Sequence, residues 1–195
     1  MGFNPLRPYT QASRLSPPHA VYLPSGFEKM MRMLDLFSGL GGASEAFVLD
    51  PGWEVIRIEN NPVLSGVPHT QTRDVLEWMD WVQMLGSSNG YPGGFDLIWA
   101  SPPCDEFARL WLPWTAKKLP PGFEPSLELM KASKAIIEHY DPTHWVIENV
   151  IGSRKFFKPT LGQPAQVIDS INLWGKFPHI TLPAGFKHIK PDKGG

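Results

Sequence analysis

Apolar positions in this chain fall in short runs separated by turn-forming residues. That is the rhythm of buried strands with helices between them. Residues 33–37, Met33-Leu34-Asp35-Leu36-Phe37, predict a short buried strand, and residues 54–58, Glu54-Val55-Ile56-Arg57-Ile58, predict a second that ends at Glu59. Between them residues 43–49 predict a helix that opens after Gly41-Gly42 and stops at Pro51-Gly52. Residues 75–84 carry helical spacing, residues 85–94 read as loop by composition, and residues 96–100 read as a strand. A Lys- and Pro-rich loop is expected over 114–125, and an amphipathic helix over 127–140, with Leu127, Met130, Ile136 and Ile137 on its apolar side. Asp141-Pro142 ends it, and residues 145–147 form the next strand. The order β-α-β-α-β-α-β predicts an α/β fold, a mostly parallel sheet flanked by crossover helices. Beyond Gly152 the pattern weakens, and residues 171–174 mark one candidate further strand.

Composition narrows the class. At 195 residues, 42% apolar and 12% aromatic, the chain fits one folded domain with a real core and excludes a disordered one. No apolar stretch is long enough to cross a membrane. Residues 1–30 hold Pro5, Pro8, Pro17, Pro18 and Pro24 without an apolar core, so they read as an extended arm, not a secretory signal. One cysteine excludes an internal disulfide framework and a Cys-rich zinc site. Together these predict a reducing, cytoplasmic setting. The net charge is −1, but from Ile151 onward seven Lys/Arg oppose two Asp, leaving −6 on the remainder. A basic end on an acidic body suits a polyanionic partner, and equally a solvated lysine-rich tail.

Candidate chemistry lies at the ends of the strands. Phe37-Ser38-Gly39-Leu40-Gly41-Gly42 is a turn whose glycines let the backbone approach a ligand closely at a helix start. Its Gly-x-Gly-Gly spacing fits a nucleotide-like cofactor or simply a tight turn. Glu59 stands 20 positions after Gly39 at the tip of the next strand, where a carboxylate suits a ribose diol. Asp35 lies inside the first strand, and Asp74 either caps a helix or meets an adenine amine. Cys104 follows Pro102-Pro103, which pushes the thiol past the end of its apolar run onto a stiffened loop. No histidine adjoins it, and Asp105 and Glu106 would raise its pKa, which argues against a protease cysteine. A thiol can add to an electron-poor ring carbon, with Glu148 as the acid on a ring nitrogen. Taken singly, Cys104 reads equally as an inert small hydrophobe and Glu148 as a surface carboxylate.

In combination and order, Asp35-Leu36-Phe37-Ser38-Gly39-Leu40-Gly41-Gly42, Glu59-Asn60, Ser101-Pro102-Pro103-Cys104 and Glu148-Asn149-Val150 resemble the DNA cytosine-5 methyltransferases over residues 31–151. Compact members occur in bacteria and phages. The resemblance implies a Rossmann-like methyltransferase fold that binds S-adenosylmethionine and acts on DNA. It places the cofactor on the turn from Phe37 to Gly42, with Asp35, Asn60 and Pro102 in the cofactor site. Glu59 would hold its ribose and Asp74 would lie near its adenine. It makes Cys104 the nucleophile toward C6 of cytosine and Glu148 the contact to N3. Pro103, Asn149, Val150 and Arg154 would border the substrate. No metal is implied. The base must be flipped or already unpaired for C5 to be reached.

The chain also departs from that family. Asp105, Phe107 and Ala108 replace the usual Gln and Phe-Ser after the cysteine. The stretch 162–170 carries no arginine where the family has Gln-x-Arg-x-Arg, and Arg154 is the candidate substitute. A large target-recognition region and a C-terminal Asn-bearing segment are missing, so Asn4 and Tyr9 of the arm are candidates to complete the cofactor site. The expected division is an arm over 1–30, a catalytic domain over 31–151 and a basic segment over 152–195. The enzyme would then be poorly selective, read a very short site, or borrow specificity from a partner or second subunit, with Lys117-Lys118 and the basic end as phosphate contacts. Two alternatives stand beside DNA methylation: the same chemistry on a free cytidine nucleotide or RNA, and a non-catalytic binding protein on a degenerate methyltransferase fold. A nicotinamide-dependent enzyme ranks below these, because it gives Cys104 and Glu148 no joint role.

Overall fold

The computed structural model describes residues 30–87 and 94–182. The expectations for Asn4, Tyr9 and the rest of the arm, and for Lys187, Lys190 and Lys193, lie outside the described residues.

Seven strands form one sheet: β1 (Met31–Leu36), β2 (Trp53–Glu59), β3 (Thr70–Thr72), β4 (Leu97–Ala100), β5 (His144–Val150), β6 (Gln166–Ile168) and β7 (Ile171–Lys176). Their spatial order is β3-β2-β1-β4-β5-β7-β6. The pairs among β1 to β5 are all parallel, whereas β7 runs antiparallel to both β5 and β6. This is the Rossmann-like, mostly parallel α/β arrangement expected from the sequence. The chain reverses direction across the sheet between β1 and β4, and clefts at such a switch point are where open α/β sheets bind ligands.

Alternation along each strand sorts its side chains onto two faces. Leu34, Leu36, Ile56, Ile58, Ile98, Ala100 and Ile147 enter the larger core. That core is closed by α2 (Trp78–Ser87) through Trp81, Val82 and Leu85 and by α5 (Glu128–Tyr140) through Met130, Ile136 and Ile137. On the other face Met33, Val55 and Leu97 pack with Phe47 and Val48 of α1 (Glu45–Val48). Asp35 and Arg57 stand two residues after Met33 and Val55, so they fall on this thinner side and are nonetheless buried.

Several elements differ from expectation. α1 is shorter than the predicted 43–49. The helical stretch at 75–84 starts as a 3₁₀ turn over Val75–Glu77, whose Leu76 N–H is capped by Asp74, and α2 then runs on into the expected loop. Two helices follow the cysteine, α3 (Asp105–Trp111) and α4 (Pro113–Ala116), the second occupying part of the predicted 114–125 loop. After Gly152, α6 (Arg154–Leu161), β6 and β7 complete the sheet where one strand was expected.

Candidate active site at the strand tips

Cys104 and Glu148 reach the site from adjacent strands. β4 and β5 pair in parallel with Ala100 opposite Ile147, so the next residues, Ser101 and Glu148, leave the ladder side by side. Ser101 Oγ donates to Glu148 Oε2 at 2.9 Å. One residue on, buried Asn149 donates from Nδ2 to the Pro102 carbonyl at 2.9 Å. The Pro-Pro-Cys loop is therefore fastened twice to the Glu-Asn-Val strand end. Asn149 also accepts from the Val150 N–H, and the Val150 carbonyl accepts from Ser153 Oγ and Asn172 Nδ2, which fixes the turn beyond.

Sequence reasoning missed Ser101 and Trp99. Trp99 Nε1 donates to Ser101 Oγ at 2.8 Å. An indole N–H is a donor only, so the Ser101 hydroxyl accepts from it and must direct its own proton to Glu148. One carboxylate oxygen is thereby committed to accepting, and Oε1 is left for the site.

Cys104 is half-buried at the start of α3, and its carbonyl accepts from the Ala108 N–H. Burial pushes its thiol pKa up, and the charges of Asp105 and Glu148 push it further. Asp105 acts as the sequence suggests. Glu106 does not: its carboxylate accepts from the Ser126 N–H at 2.7 Å, and the second acid felt by the sulfur is Glu148. Cys104 and Glu148 thus share one electrostatic environment.

The glycine turn forms a neighbouring cradle. Phe37, Gly39 and Gly41 all have positive φ. Glu59 accepts from the Gly39 N–H at 3.0 Å through Oε2 and from the Asn61 N–H at 2.9 Å through Oε1, which places its carboxylate against the turn. Phe37, Glu59, Asn60, Arg73, Asp74, Ser101 and Pro103 are among the residues that line a cavity of about 160 Å³. A second, of about 280 Å³, shares Pro103 and Leu129 with it and is also bordered by Pro102 and Phe107. The first is smaller than the roughly 300–1,000 Å³ of ordinary ligand pockets, so it encloses only part of a cofactor-sized molecule. Ser38 Oγ is buried in the turn without a hydrogen-bond partner, an orphaned group that a polar ligand would satisfy. The residues present fit a nucleoside-type cofactor.

Other expected residues lie elsewhere. Asp35 does not border this cavity. Its carboxyl accepts from buried Ser44 Oγ at 2.6 Å, and burial raises its pKa to about 6. Leu40 is exposed and borders a separate cavity with Val63 and Pro68, and Gly42 is exposed. Gly41 sits over Arg57, whose guanidinium donates to the Gly41 carbonyl, Ser44 Oγ, Glu45 and the Pro68 carbonyl. Arg154 is exposed on α6 and donates to Gln163 Oε1 at 3.2 Å.

No family model matches the chain. A protein of Frog virus 3 (isolate Goorha) named "Probable DNA (cytosine-5)-methyltransferase" is 32% identical over 126 residues, 61% of this chain and 53% of that protein. The chain therefore spans about half the length of the curated relative it matches. Among solved structures, a candidate DNA modification methyltransferase encoded within an E. coli prophage aligns with 66% of this chain and 35% of its own, at 18% identity and TM-score 0.45. The Pyrococcus abyssi tRNA (uracil-54, C5)-methyltransferase in complex with S-adenosyl-L-homocysteine aligns with 76% of this chain and 35% of its own, at 12% identity and TM-score 0.40. Both scores lie below 0.5, so the structural likeness is partial. In sequence, over 61% of its length, the chain is similar to a DNA (cytosine-5)-methyltransferase, the family its Pro-Pro-Cys and Glu-Asn-Val motifs resemble.

Proposed function

We propose that the chain transfers a methyl group from S-adenosylmethionine to C5 of cytosine in DNA. The observation that carries this reading is the double fastening of the Pro-Pro-Cys loop to the Glu-Asn-Val strand, Ser101 to Glu148 and Asn149 to Pro102. In this reading Cys104 is the nucleophile and Glu148 the acid, and the fastening sets their two segments side by side near the Phe37–Gly42 turn. Cys104 loses its proton and its sulfur bonds to C6 of the base. Glu148 donates a proton to N3, which balances the charge pushed into the ring and makes C5 nucleophilic. The cofactor supplies an electrophilic methyl group to C5. Loss of the C5 proton to a base then expels the Cys104 sulfur, and N3 returns its proton to Glu148, which restores the ring and both side chains. Glu59 and Asp74 bind the nucleoside end of the cofactor, and the Phe37–Gly42 turn accommodates the rest. Pro103, Asn149 and Val150 border the base, which enters flipped or unpaired. A partner or second subunit would supply the choice of sequence.

Burial and the charges of Asp105 and Glu148 push the Cys104 thiol pKa up, and in this reading the thiol gives up its proton as substrate binds. Mass spectrometry of the protein with 5-fluorocytosine DNA and cofactor tests this directly. A covalent adduct on the peptide containing Cys104, lost in Cys104→Ser, is expected. Methyl incorporation by Cys104→Ser equal to that of the unaltered protein would overturn the assignment. Running dCMP, single-stranded DNA, duplex DNA and tRNA as parallel acceptors separates DNA from nucleotide and RNA.

A further inference from the structure

One feature beside the strand tips has no part in the methyl-transfer steps. A cavity of about 480 Å³ opens between the end of α3 and the start of α6. Leu110 and Trp111 line it from α3, and Arg154, Lys155 and Lys158 from α6. Trp111 is 62% exposed, and Trp114, on the following helix, is 64% exposed. α6 buries Phe157 and presents no acidic residue. Arg154 and Lys158 stand one turn apart on that helix, a like-charge spacing that destabilises it unless an anion lies between them. The acids of α3, Asp105 and Glu106, occupy its opposite end.

The walls are set against each other. A Cβ at Gly152 would lie 2.7 Å from the Phe107 carbonyl oxygen and 2.9 Å from Trp111 Cβ, so the turn leading into α6 presses directly on α3. A groove held in this way loses little freedom when it is filled. Its position matters as well. Trp111 lies seven residues past Cys104 on one helix, about 10 Å at 1.5 Å per residue.

We infer that this groove holds an unpaired nucleic-acid strand, with phosphates on Arg154, Lys155 and Lys158 and a base stacked on Trp111. Cations interleaved with exposed aromatics are the chemistry of single-strand binding, in which a free base face stacks on an indole. A duplex keeps those faces occupied. The inference rests on the cytosine reading for its acceptor and deepens it by naming the acceptor's form, a strand presented unpaired next to Cys104.

Fluorescence anisotropy with a labelled 12-nucleotide strand, alone or annealed to its complement and without cofactor, tests it. The single strand should bind more tightly than the duplex. Trp111→Ala should weaken single-strand binding about 5- to 150-fold. Replacing Arg154, Lys155 and Lys158 together by Gln should flatten the slope of log affinity against log salt by about 2, at about 0.7 per phosphate. Lys131→Gln, an exposed cation on α5, should leave that slope unchanged. All altered side chains are exposed, and unchanged thermal melting verifies the fold of each variant. Equal or tighter duplex binding, wild-type affinity in Trp111→Ala, or an equal loss in Lys131→Gln would overturn the inference. Binding through the groove with no methyl incorporation into any strand would defeat the cytosine reading and leave the groove. Incorporation unaltered by the groove variants would do the reverse.

Discussion

Replacing Gly41 by alanine should cost far more than replacing either neighbouring glycine, because Gly41 roofs a buried cation. Its φ of +84 is strained for any L side chain, at about 1–2 kcal/mol. The new Cβ would lie 2.3 Å from Arg57 Cζ and within 2.6 Å of two of its nitrogens. The guanidinium must then move and surrender bonds to Ser44 Oγ at 2.8 Å, the Gly41 carbonyl at 3.2 Å and Glu45 at 2.8 Å. Stripping partners from a buried charge costs about 3–5 kcal/mol, so the whole loss is about 4–7 kcal/mol, comparable to the stability of a small domain. Gly39→Ala meets only backbone strain, since nothing lies within 4 Å of its Cβ, and should cost about 1–2 kcal/mol. Gly42→Ala meets neither strain nor a neighbour and should stay within about 0.5 kcal/mol. Urea unfolding followed by tryptophan fluorescence measures all three. In an Arg57→Ala background the Gly41→Ala cost should fall to that of Gly39→Ala, a coupling read from the double-mutant cycle. Equal losses for Gly41→Ala and Gly42→Ala, or no coupling to Arg57, would refute the reasoning.

The other predictions concern charge and position. Ser101→Ala removes the donor that orients Glu148, so kcat for methyl transfer should fall about 10- to 100-fold with KM for S-adenosylmethionine unchanged, and Ser101→Thr should recover most of it; unaltered kcat would remove Ser101 from the mechanism. Asp35 holds its proton up to about pH 6 in the folded chain, against 3.8 ordinarily, so the folded state binds the extra proton between those values and stability falls as pH rises through them, by up to about 3 kcal/mol. Asp35→Asn should flatten that fall in urea titrations at several pH values, and a curve parallel to wild type would count against the buried acid. With its pKa pushed up, Cys104 should react with iodoacetamide at neutral pH more slowly than a free cysteine, and Asp105→Asn should speed the reaction more than Glu148→Gln, following the order of the two charges. Identical rates in all three proteins would contradict that account.

What was legible in the sequence was local. Short apolar runs, broken by Asp35 in β1 and Arg57 in β2, mark β1, β2, β4 and β5 because parallel strands are buried on both faces. The Pro-Pro-Cys and Glu-Asn-Val segments stand out because each is a short departure at the end of such a run. Arg57 was not legible: a charged residue inside a strand looks solvent-facing until β1, β2 and α1 place it under Gly41. Ser101 needed the β4–β5 neighbourhood, and β3, Thr70-Gln71-Thr72, has no apolar residue to announce it. α3 did carry a signal, acids in its first turn and apolar Phe107, Leu110 and Trp111 at helical spacing. α4 carried another, proline at its first position. The β6–β7 hairpin turns on Asp169 in a left-handed conformation, and its strands are too short and mixed for periodicity to show.

The paired anchors at Ser101 and Asn149 have a consequence for how such a chain can change. The excursion over residues 105–143 departs just past the anchored Ser101 and Pro102 and rejoins the sheet at His144, on the strand that carries Glu148 and Asn149. Insertions, deletions or wholesale rebuilding along it would leave the separation between sulfur and carboxyl untouched. On the proposed reading, the groups assigned to the chemistry sit in the part of the chain least free to drift, and the excursion between them is the part most free to.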